Sequence, residues 1–129
     1  MKKPLFFFLA DDDEDDRFFF LEALKEIDPG IECMIASNGK DALALLQNDF
    51  FPLPDYIFLD LNMPLMDGLK CLEEIKRIPS LSHIPVIIYS TSSEKEVAAS
   101  CLQAGAYAFF IKPSSSSDLL NYLRKLIVR

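Results

Sequence analysis

Short apolar runs alternate with amphipathic segments along the whole chain. The apolar runs cover residues 5–10, 31–36, 56–59, 86–89 and 108–111, and they are rich in Phe, Ile, Val and Tyr. Because polar residues do not alternate with the apolar ones inside these runs, we expect other elements to cover both of their faces, as helices do in a parallel sheet. The pattern therefore predicts five short, buried strands.

The segments around these runs have the spacing of amphipathic helices, with apolar residues three or four positions apart. The five predicted apolar stripes consist of Phe20, Leu24 and Ile27; Ala42, Leu45 and Leu46; Leu69, Leu72 and Ile75; Val97, Ala98, Cys101 and Leu102; and Leu119, Leu120, Leu123, Leu126 and Ile127. Alternating strands and helices predict an α/β fold with a parallel sheet and right-handed crossovers. Periodicity alone leaves the strand order open.

Polar residues predict where several helices begin. Asn38 and Asp67 are expected N-caps, Ser93 and Glu96 are expected to form a capping box, and the serines at 114–117 are expected to cap the last helix. Three consecutive phenylalanines at 18–20 cannot all face inward on one helix, so we expect one of them at the surface.

The composition narrows the class of protein. Half of the 129 residues are hydrophobic and 26% are charged, which is typical of one folded domain rather than a disordered chain. A net charge of -7 argues against a nucleic-acid partner. The first apolar run is far shorter than the ~20 residues of a membrane helix, and it meets a block of acids without a signal-peptide cleavage pattern. We therefore expect a cytoplasmic protein with neither membrane nor nucleic acid as partner.

Chemically reactive side chains follow four of the five predicted strands. Asp11 and Asp12 follow the first strand, Asp60 the third, Ser90 the fourth and Lys112 the fifth. Ligands of open α/β sheets bind beyond the carboxyl ends of the strands, and converging carboxylates repel one another unless a cation is present. Mg²⁺ prefers such oxygen ligands, and an aspartate can act as a nucleophile towards phosphorus. These residue types are what Mg²⁺-assisted phosphoryl transfer onto an aspartate needs.

Five separated motifs resemble a known family, the response-regulator receiver domains of two-component signalling. They are LADDD at 9–13, FLDLNMPLMDG at 58–68, PVIIYST at 85–91, AGA at 104–106 and FFIKP at 109–113. The resemblance covers the chain from residue 5 to about residue 127. It implies a flavodoxin-like, doubly wound sheet of five parallel strands in the order 2-1-3-4-5 with five helices. It also implies that residues 1–129 form a single receiver domain without an output domain.

The resemblance also implies a role for each residue at the strand ends. Asp60 matches the phosphoacceptor, and Asp11 and Asp12 match the acidic pair that holds Mg²⁺, with the backbone carbonyl of Asn62 as a further ligand. The acidic tract extends through Asp13, Glu14, Asp15 and Asp16, so the pair could be read one residue later, although the match of LA at 9–10 favours positions 11 and 12. We expect the acids at 13–16 to favour the start of the first helix, whose dipole attracts negative charge.

The remaining carried-over roles concern the switch between signalling states. Ser90 matches the hydroxyl residue that follows the phosphoryl group, Lys112 matches the lysine that pairs with it, and Phe109 matches the aromatic switch position. A cis peptide bond is expected between Lys112 and Pro113, which would aim the ammonium group at Asp60.

The implied partners are a histidine kinase or phosphotransfer protein as donor and an effector protein as receiver of the signal, while homodimerisation stays open. Two alternatives compete with this reading. A phosphatase of the haloacid dehalogenase type would carry a second Asp two residues after the nucleophile, where this chain has Asn62. A degenerate receiver that only binds partners would lack the acceptor, the acidic pair or the lysine.

Overall fold

The computed structural model describes residues 4–127 and contains one parallel sheet of five strands with the order β2-β1-β3-β4-β5. The elements are, in chain order, β1 (Phe6–Ala10), α1 (Glu14–Ile27), β2 (Glu32–Ala36), α2 (Gly39–Leu46), β3 (Tyr56–Leu59), α3 (Gly68–Arg77), β4 (Val86–Ser90), α4 (Lys95–Gln103), β5 (Ala108–Ile111) and α5 (Ser116–Ile127). This is the predicted flavodoxin-like fold, and the predicted strands are confirmed to within a residue at each end.

The sheet separates two hydrophobic clusters of different character. Along β1, Phe7 and Leu9 point to the face covered by α1 and α5, while Phe8 and Ala10 point to the face covered by α2, α3 and α4. We call these the α1/α5 face and the α2–α4 face. Aromatic rings dominate the α1/α5 face, where Phe7, Phe20, Phe58, Tyr89 and Phe110 contact one another. Aliphatic side chains dominate the α2–α4 face. Because both faces are covered, the strands are apolar throughout.

Side-chain caps confirm most of the predicted helix starts. Asn38 accepts a hydrogen bond from the backbone of Asp41 at 2.8 Å, and Asp67 accepts one from Lys70 at 2.8 Å. Ser115 accepts one from Asp118 at 3.2 Å at the start of α5. Each satisfies a backbone N–H that the first helical turn leaves unpaired.

The predicted capping box at Ser93 and Glu96 is wrong. The residue before α4 is Glu94, whose side chain makes no capping hydrogen bond. Serine hydroxyls shape the preceding loop instead, because Ser90 Oγ accepts from the Ser92 backbone at 3.1 Å and Ser92 Oγ from Glu94 at 3.3 Å. These hydrogen bonds extend the loop to Glu94, so α4 begins at Lys95, one residue later than the pattern predicted.

The phenylalanine triplet at the start of α1 exposes two rings rather than one. Phe20 is buried, whereas Phe18 and Phe19 are 56% and 51% exposed. The core-facing stripe of α1 consists of Phe20, Ala23 and Leu24, and the residues one and two positions before Phe20 are rotated out of it. No helix within residues 4–127 is long and apolar enough to cross a membrane.

Candidate functional site

The sheet hydrogen bonds extend one residue beyond the strands and align the residues that follow them. The backbone N–H of Asp11 donates to Ala36 at 3.0 Å, that of Asp60 to Ala10 at 2.8 Å, and that of Lys112 to Ser90 at 2.7 Å. The ladder therefore brings the four strand ends that carry predicted site residues to the same edge of the sheet.

Three carboxylates meet at this edge. One oxygen from each of Asp11, Asp12 and Asp60 lies within 4.8 Å of the others. Asp11 and Asp60 are buried, whereas Asp12 is exposed. Asp13 lies outside this cluster and is the N-cap of α1, where its side chain accepts from the backbone of Asp15 and Asp16. The acidic tract is thus divided between a cluster at 11 and 12 and a helix start from 13 onwards.

Lys112 lies at the centre of the acidic group. Its Nζ is 2.8 Å from Asp11 Oδ2, 2.8 Å from Asp16 Oδ2 and 3.4 Å from Asp60 Oδ2, and its side chain is only 8% exposed. The ammonium group also lies 5.2 Å from the centre of the Tyr89 ring. A single buried cation is therefore shared among three carboxylates.

Sequence reasoning missed Asp16, which it assigned to the favourable charge at the start of α1. The available signal was helical phase. Asp16 is four residues before the buried Phe20 and so lies on the side of α1 that faces the sheet.

The predicted cis peptide bond between Lys112 and Pro113 is wrong, since no cis peptide bond occurs within the described residues. The trans form is the lower-energy form of an X–Pro bond by about 0.5–1 kcal/mol. A cis bond is not needed to aim the lysine, because the hydrogen bond from Lys112 to Ser90 already fixes its backbone beside β4.

The surroundings of Asp60 and Lys112 shift the pKa values of both side chains. Burial, helped by the negative charge of Asp11 and opposed by Lys112, raises the pKa of the Asp60 carboxyl from its usual value of 3.8 to about 6. Burial alone would lower the pKa of the Lys112 ammonium, but its contacts with Asp11 and Asp16 and the charge of Asp60 outweigh burial and raise that pKa above its usual value. Lys112 is therefore positively charged at neutral pH, and Asp60 loses its proton near pH 6 rather than near pH 4.

One oxygen of the cluster is suited to a bound cation. Asp11 Oδ1 accepts a hydrogen bond from the backbone of Asp13 at 2.9 Å. The buried Oδ2 of the same carboxylate has no hydrogen-bond donor in proper geometry within the described residues and is balanced only by the nearby charge of Lys112. Together with the oxygens of Asp12 and Asp60, this set has the chemistry that hard divalent cations prefer.

The start of α3 packs directly on the backbone of Asp60. A Cβ atom at position 68 would lie 2.3 Å from the Asp60 carbonyl oxygen, so only glycine fits there. The loop between them contains Leu65, which has a positive φ of 66° and an exposed side chain. Asn62 lies in this loop as expected, and the role of its carbonyl stays a prediction.

The two predicted switch residues lie on neighbouring strands. Ser90 is fully buried at the end of β4. Phe109 is half-buried on β5, packs against the α2–α4 face, and borders an apolar groove between α4 and β5 that Ala98, Leu102 and Ile111 also line. Ser90 thus lies at the edge of the sheet that carries the acidic cluster and Phe109 borders the groove, and their switch roles stay a prediction.

Known proteins resemble the chain in sequence and in fold. Response regulator Rcp1 of Synechocystis sp. is 32% identical over 107 residues, which cover 80% of this chain and 73% of that protein. The crystal structure of its Mn²⁺-bound form aligns with a TM-score of 0.85 at 30% identity, covering 95% of this chain and 91% of that one. The phosphorylated cyanobacterial phytochrome response regulator RcpA aligns with a TM-score of 0.87 at 28% identity, covering 96% of this chain and 91% of that one.

A third relative is much longer than this chain. Protein-glutamate methylesterase/protein-glutamine glutaminase 3 of Rhodospirillum rubrum is 42% identical over 101 residues, which cover 77% of this chain and 26% of that protein. The chain thus spans about a quarter of the length of this relative. The sequence profile described as the response regulator receiver domain matches residues 7–124. Since this match covers most of the chain, from Phe7 in β1 to Arg124 in α5, the chain belongs to the response-regulator receiver domains.

Proposed function

We propose that the chain is the receiver domain of a response regulator and accepts a phosphoryl group on Asp60 from a histidine kinase or a phosphotransfer protein. The observation that carries the proposal is the position of Lys112, whose buried ammonium group lies between Asp60 and Asp11. A buried lysine held beside an acidic nucleophile suits the transfer of a negatively charged group. In this proposal the chain is a signalling phosphoacceptor in the cytoplasm and turns over no external substrate.

The transfer uses the side chains at the strand ends. A carboxylate oxygen of Asp60 attacks the phosphorus of the donor phosphohistidine, the P–N bond breaks, and the imidazole nitrogen keeps the electron pair. Lys112 balances the charge on the phosphoryl oxygens, and the Ser90 hydroxyl donates a hydrogen bond to one of them. The raised pKa of Asp60 makes its carboxylate more basic and therefore a better nucleophile once it is ionised.

A divalent cation fits the same cluster. Asp11, Asp12 and Asp60 would hold Mg²⁺ through their carboxylates and Asn62 through its backbone carbonyl. The ion supplies further positive charge to the phosphoryl oxygens. The convergence of the three carboxylates within 4.8 Å and the Mn²⁺-bound form of the relative Rcp1 support this assignment.

In this proposal a downstream effector protein binds at the groove between α4 and β5. Phosphorylation adds charge and acceptor oxygens beside Ser90. Movement of Ser90 towards Asp60 leaves space that Phe109 can fill from β5, and this rotation changes the groove that Phe109 borders. A downstream effector protein that prefers one shape of the groove then responds to the phosphoryl group. Leu102 and Ile111 are exposed beside Phe109 and offer apolar contacts to that effector or to a second copy of the chain.

The direct test is labelling with acetyl phosphate in the presence of Mg²⁺, read by intact mass. The wild type should gain one acid-stable, base-labile phosphoryl group that EDTA prevents. Asp60→Asn should gain none, and Asp12→Ala should need a higher Mg²⁺ concentration. Equal labelling of Asp60→Asn would refute the acceptor assignment. Steady hydrolysis of a phosphomonoester would favour a phosphatase, and the absence of any adduct would favour a module that only binds partners.

A further inference from the structure

Asp16 forms an ion pair that the proposed phosphoryl transfer does not use. Its Oδ2 accepts a hydrogen bond from Lys112 Nζ at 2.8 Å, whereas the proposed acceptor Asp60 lies 3.4 Å from the same nitrogen. The ammonium group of lysine has three protons to donate. Of the three ion-pair contacts of the Lys112 ammonium group, those with Asp11 and Asp16 are the shortest and the one with Asp60 is the longest.

The local backbone leaves the carboxylate of Asp16 free for this contact. Asp16 is the third residue of α1, where an acidic side chain often accepts a hydrogen bond from the N-cap backbone. Here the N-cap is Asp13, and its N–H donates to Asp11 Oδ1 at 2.9 Å instead. The Asp16 backbone is fixed by its own hydrogen bond to Asp13 Oδ1 at 3.1 Å. Asp16 is thus held firmly and directed at the lysine.

Charge balance makes Asp16 a competitor of Asp60. Asp11, Asp16 and Asp60 share the ammonium group of Lys112, so a contact made by one carboxylate is withheld in part from the others. The side chain of Asp16 is 33% exposed, against 9% for Asp60. A cavity of about 390 Å³ borders both Asp16 and Lys112. Water in this cavity can solvate Asp16 after the lysine leaves, whereas Asp60 has little access to water.

We infer that Asp16 is a positioning residue that holds Lys112 in a resting position and competes with the phosphoryl group on Asp60 for its ammonium group. Phosphorylation draws the lysine away from Asp16 towards the phosphoryl oxygens, and the loss of the Asp16 contact opposes this movement. Asp16 therefore lowers the stability of the phosphorylated state without taking part in the transfer. This inference rests on the proposed function of Asp60.

The test compares the affinity of four proteins for beryllofluoride, a mimic of the phosphoryl group, in the presence of Mg²⁺. Asp16→Asn removes the competitor and should bind beryllofluoride about three- to fivefold more tightly than the wild type, the value of a partly exposed ion pair. Asp15→Asn is the matched control, because it removes an equal charge from the residue before Asp16. Asp15 is exposed and does not contact Lys112. Asp16→Glu keeps the carboxylate and should return the affinity towards that of the wild type.

Two further measurements separate competition from a general structural effect. The affinity for Mg²⁺ alone should fall at least as much in Asp16→Asn as in Asp15→Asn, because a lysine released from Asp16 turns towards Asp11 and Asp60 and opposes the cation there. Tighter beryllofluoride binding by Asp16→Asn would then not come from tighter Mg²⁺ binding. In a crystal structure of the wild type with Mg²⁺ and beryllofluoride, Lys112 Nζ should lie beyond ion-pair distance from Asp16 and should contact a fluoride.

The outcomes that would overturn the inference are distinct from those that overturn the proposed function. Equal beryllofluoride affinities of Asp16→Asn and Asp15→Asn, or a Lys112 that keeps its contact with Asp16 in the complex, would overturn the inference alone. A wild type that binds no beryllofluoride in Mg²⁺ would overturn the proposed function and this inference with it.

Discussion

Replacing Asp60 by Asn should stabilise the protein at neutral pH in the absence of divalent cations. Asp60 is 6% exposed, and its pKa is raised from 3.8 to about 6, chiefly by burial. A difference of about two between the pKa values of the unfolded and folded states corresponds to about 3 kcal/mol. This is an upper bound, because Asn also gives up the contact with Lys112 at 3.4 Å. Since Lys112 keeps Asp11 and Asp16, we expect a net gain of about 1–2 kcal/mol in the free energy of unfolding.

The sign of the effect follows from the direction of the pKa shift. The folded state binds the Asp60 proton more tightly than the unfolded state does, so ionisation of Asp60 destabilises the fold. This cost is absent below about pH 3.8, develops between pH 4 and 6, and is complete above that range. The advantage of Asp60→Asn over the wild type should therefore be small near pH 4 and should reach its full value near pH 7.

Urea unfolding in EDTA, followed by circular dichroism from pH 4 to pH 8, measures this difference. Asp49→Asn is a suitable control, because Asp49 is an exposed carboxylate outside the site. Added Mg²⁺ should reduce the advantage, since ion binding stabilises the wild type more than the variant. An Asp60→Asn variant that is no more stable than the wild type at pH 7, or an advantage that does not change with pH, would refute the argument.

Three further substitutions test the surroundings of the site. Leu65→Asn should raise the free energy of unfolding by about 0.5–1 kcal/mol, because asparagine tolerates a φ of 66° better than leucine does; thermal unfolding measures the change. Gly68→Ala should cost about 2 kcal/mol or more and should slow labelling of Asp60, because its methyl group would push against the Asp60 backbone. Ser90→Ala should still form the acetyl-phosphate adduct on intact-mass analysis, whereas NMR shift changes around Phe109 on beryllofluoride binding should shrink by more than half, because the hydroxyl that follows the phosphoryl group is lost.

The sequence predicted the sheet and most of the site because both depend on short-range patterns. Uninterrupted apolar runs such as 56–59 identify buried strands, and in a parallel sheet the strand ends meet at one edge by geometry alone. Asp11, Asp60 and Lys112 could therefore be grouped from the sequence pattern. The strand order came from the family resemblance, since the hydrophobic pattern does not contain it.

The features that the sequence did not predict have three different physical origins, one of them tertiary and two local. The pairing of Asp16 with Lys112 joins residues 96 positions apart. The start of α4 depends on hydroxyl contacts of Ser90 and Ser92 that compete with the predicted cap. The Lys112–Pro113 bond is trans, which is the intrinsically preferred form of an X–Pro bond, whereas the family resemblance predicted a cis bond.

The unequal burial of the helices has a consequence for local stability. α3 buries four residues in the core, whereas α4 buries only Cys101 and exposes Leu102. With so little apolar area to lose, α4 can open while the sheet and the aromatic α1/α5 face stay folded. Amide hydrogen exchange should therefore be fastest in α4 among the helices and should report its local opening rather than global unfolding. The helix beside the groove, α4, is thus also the helix for which we expect the lowest local stability.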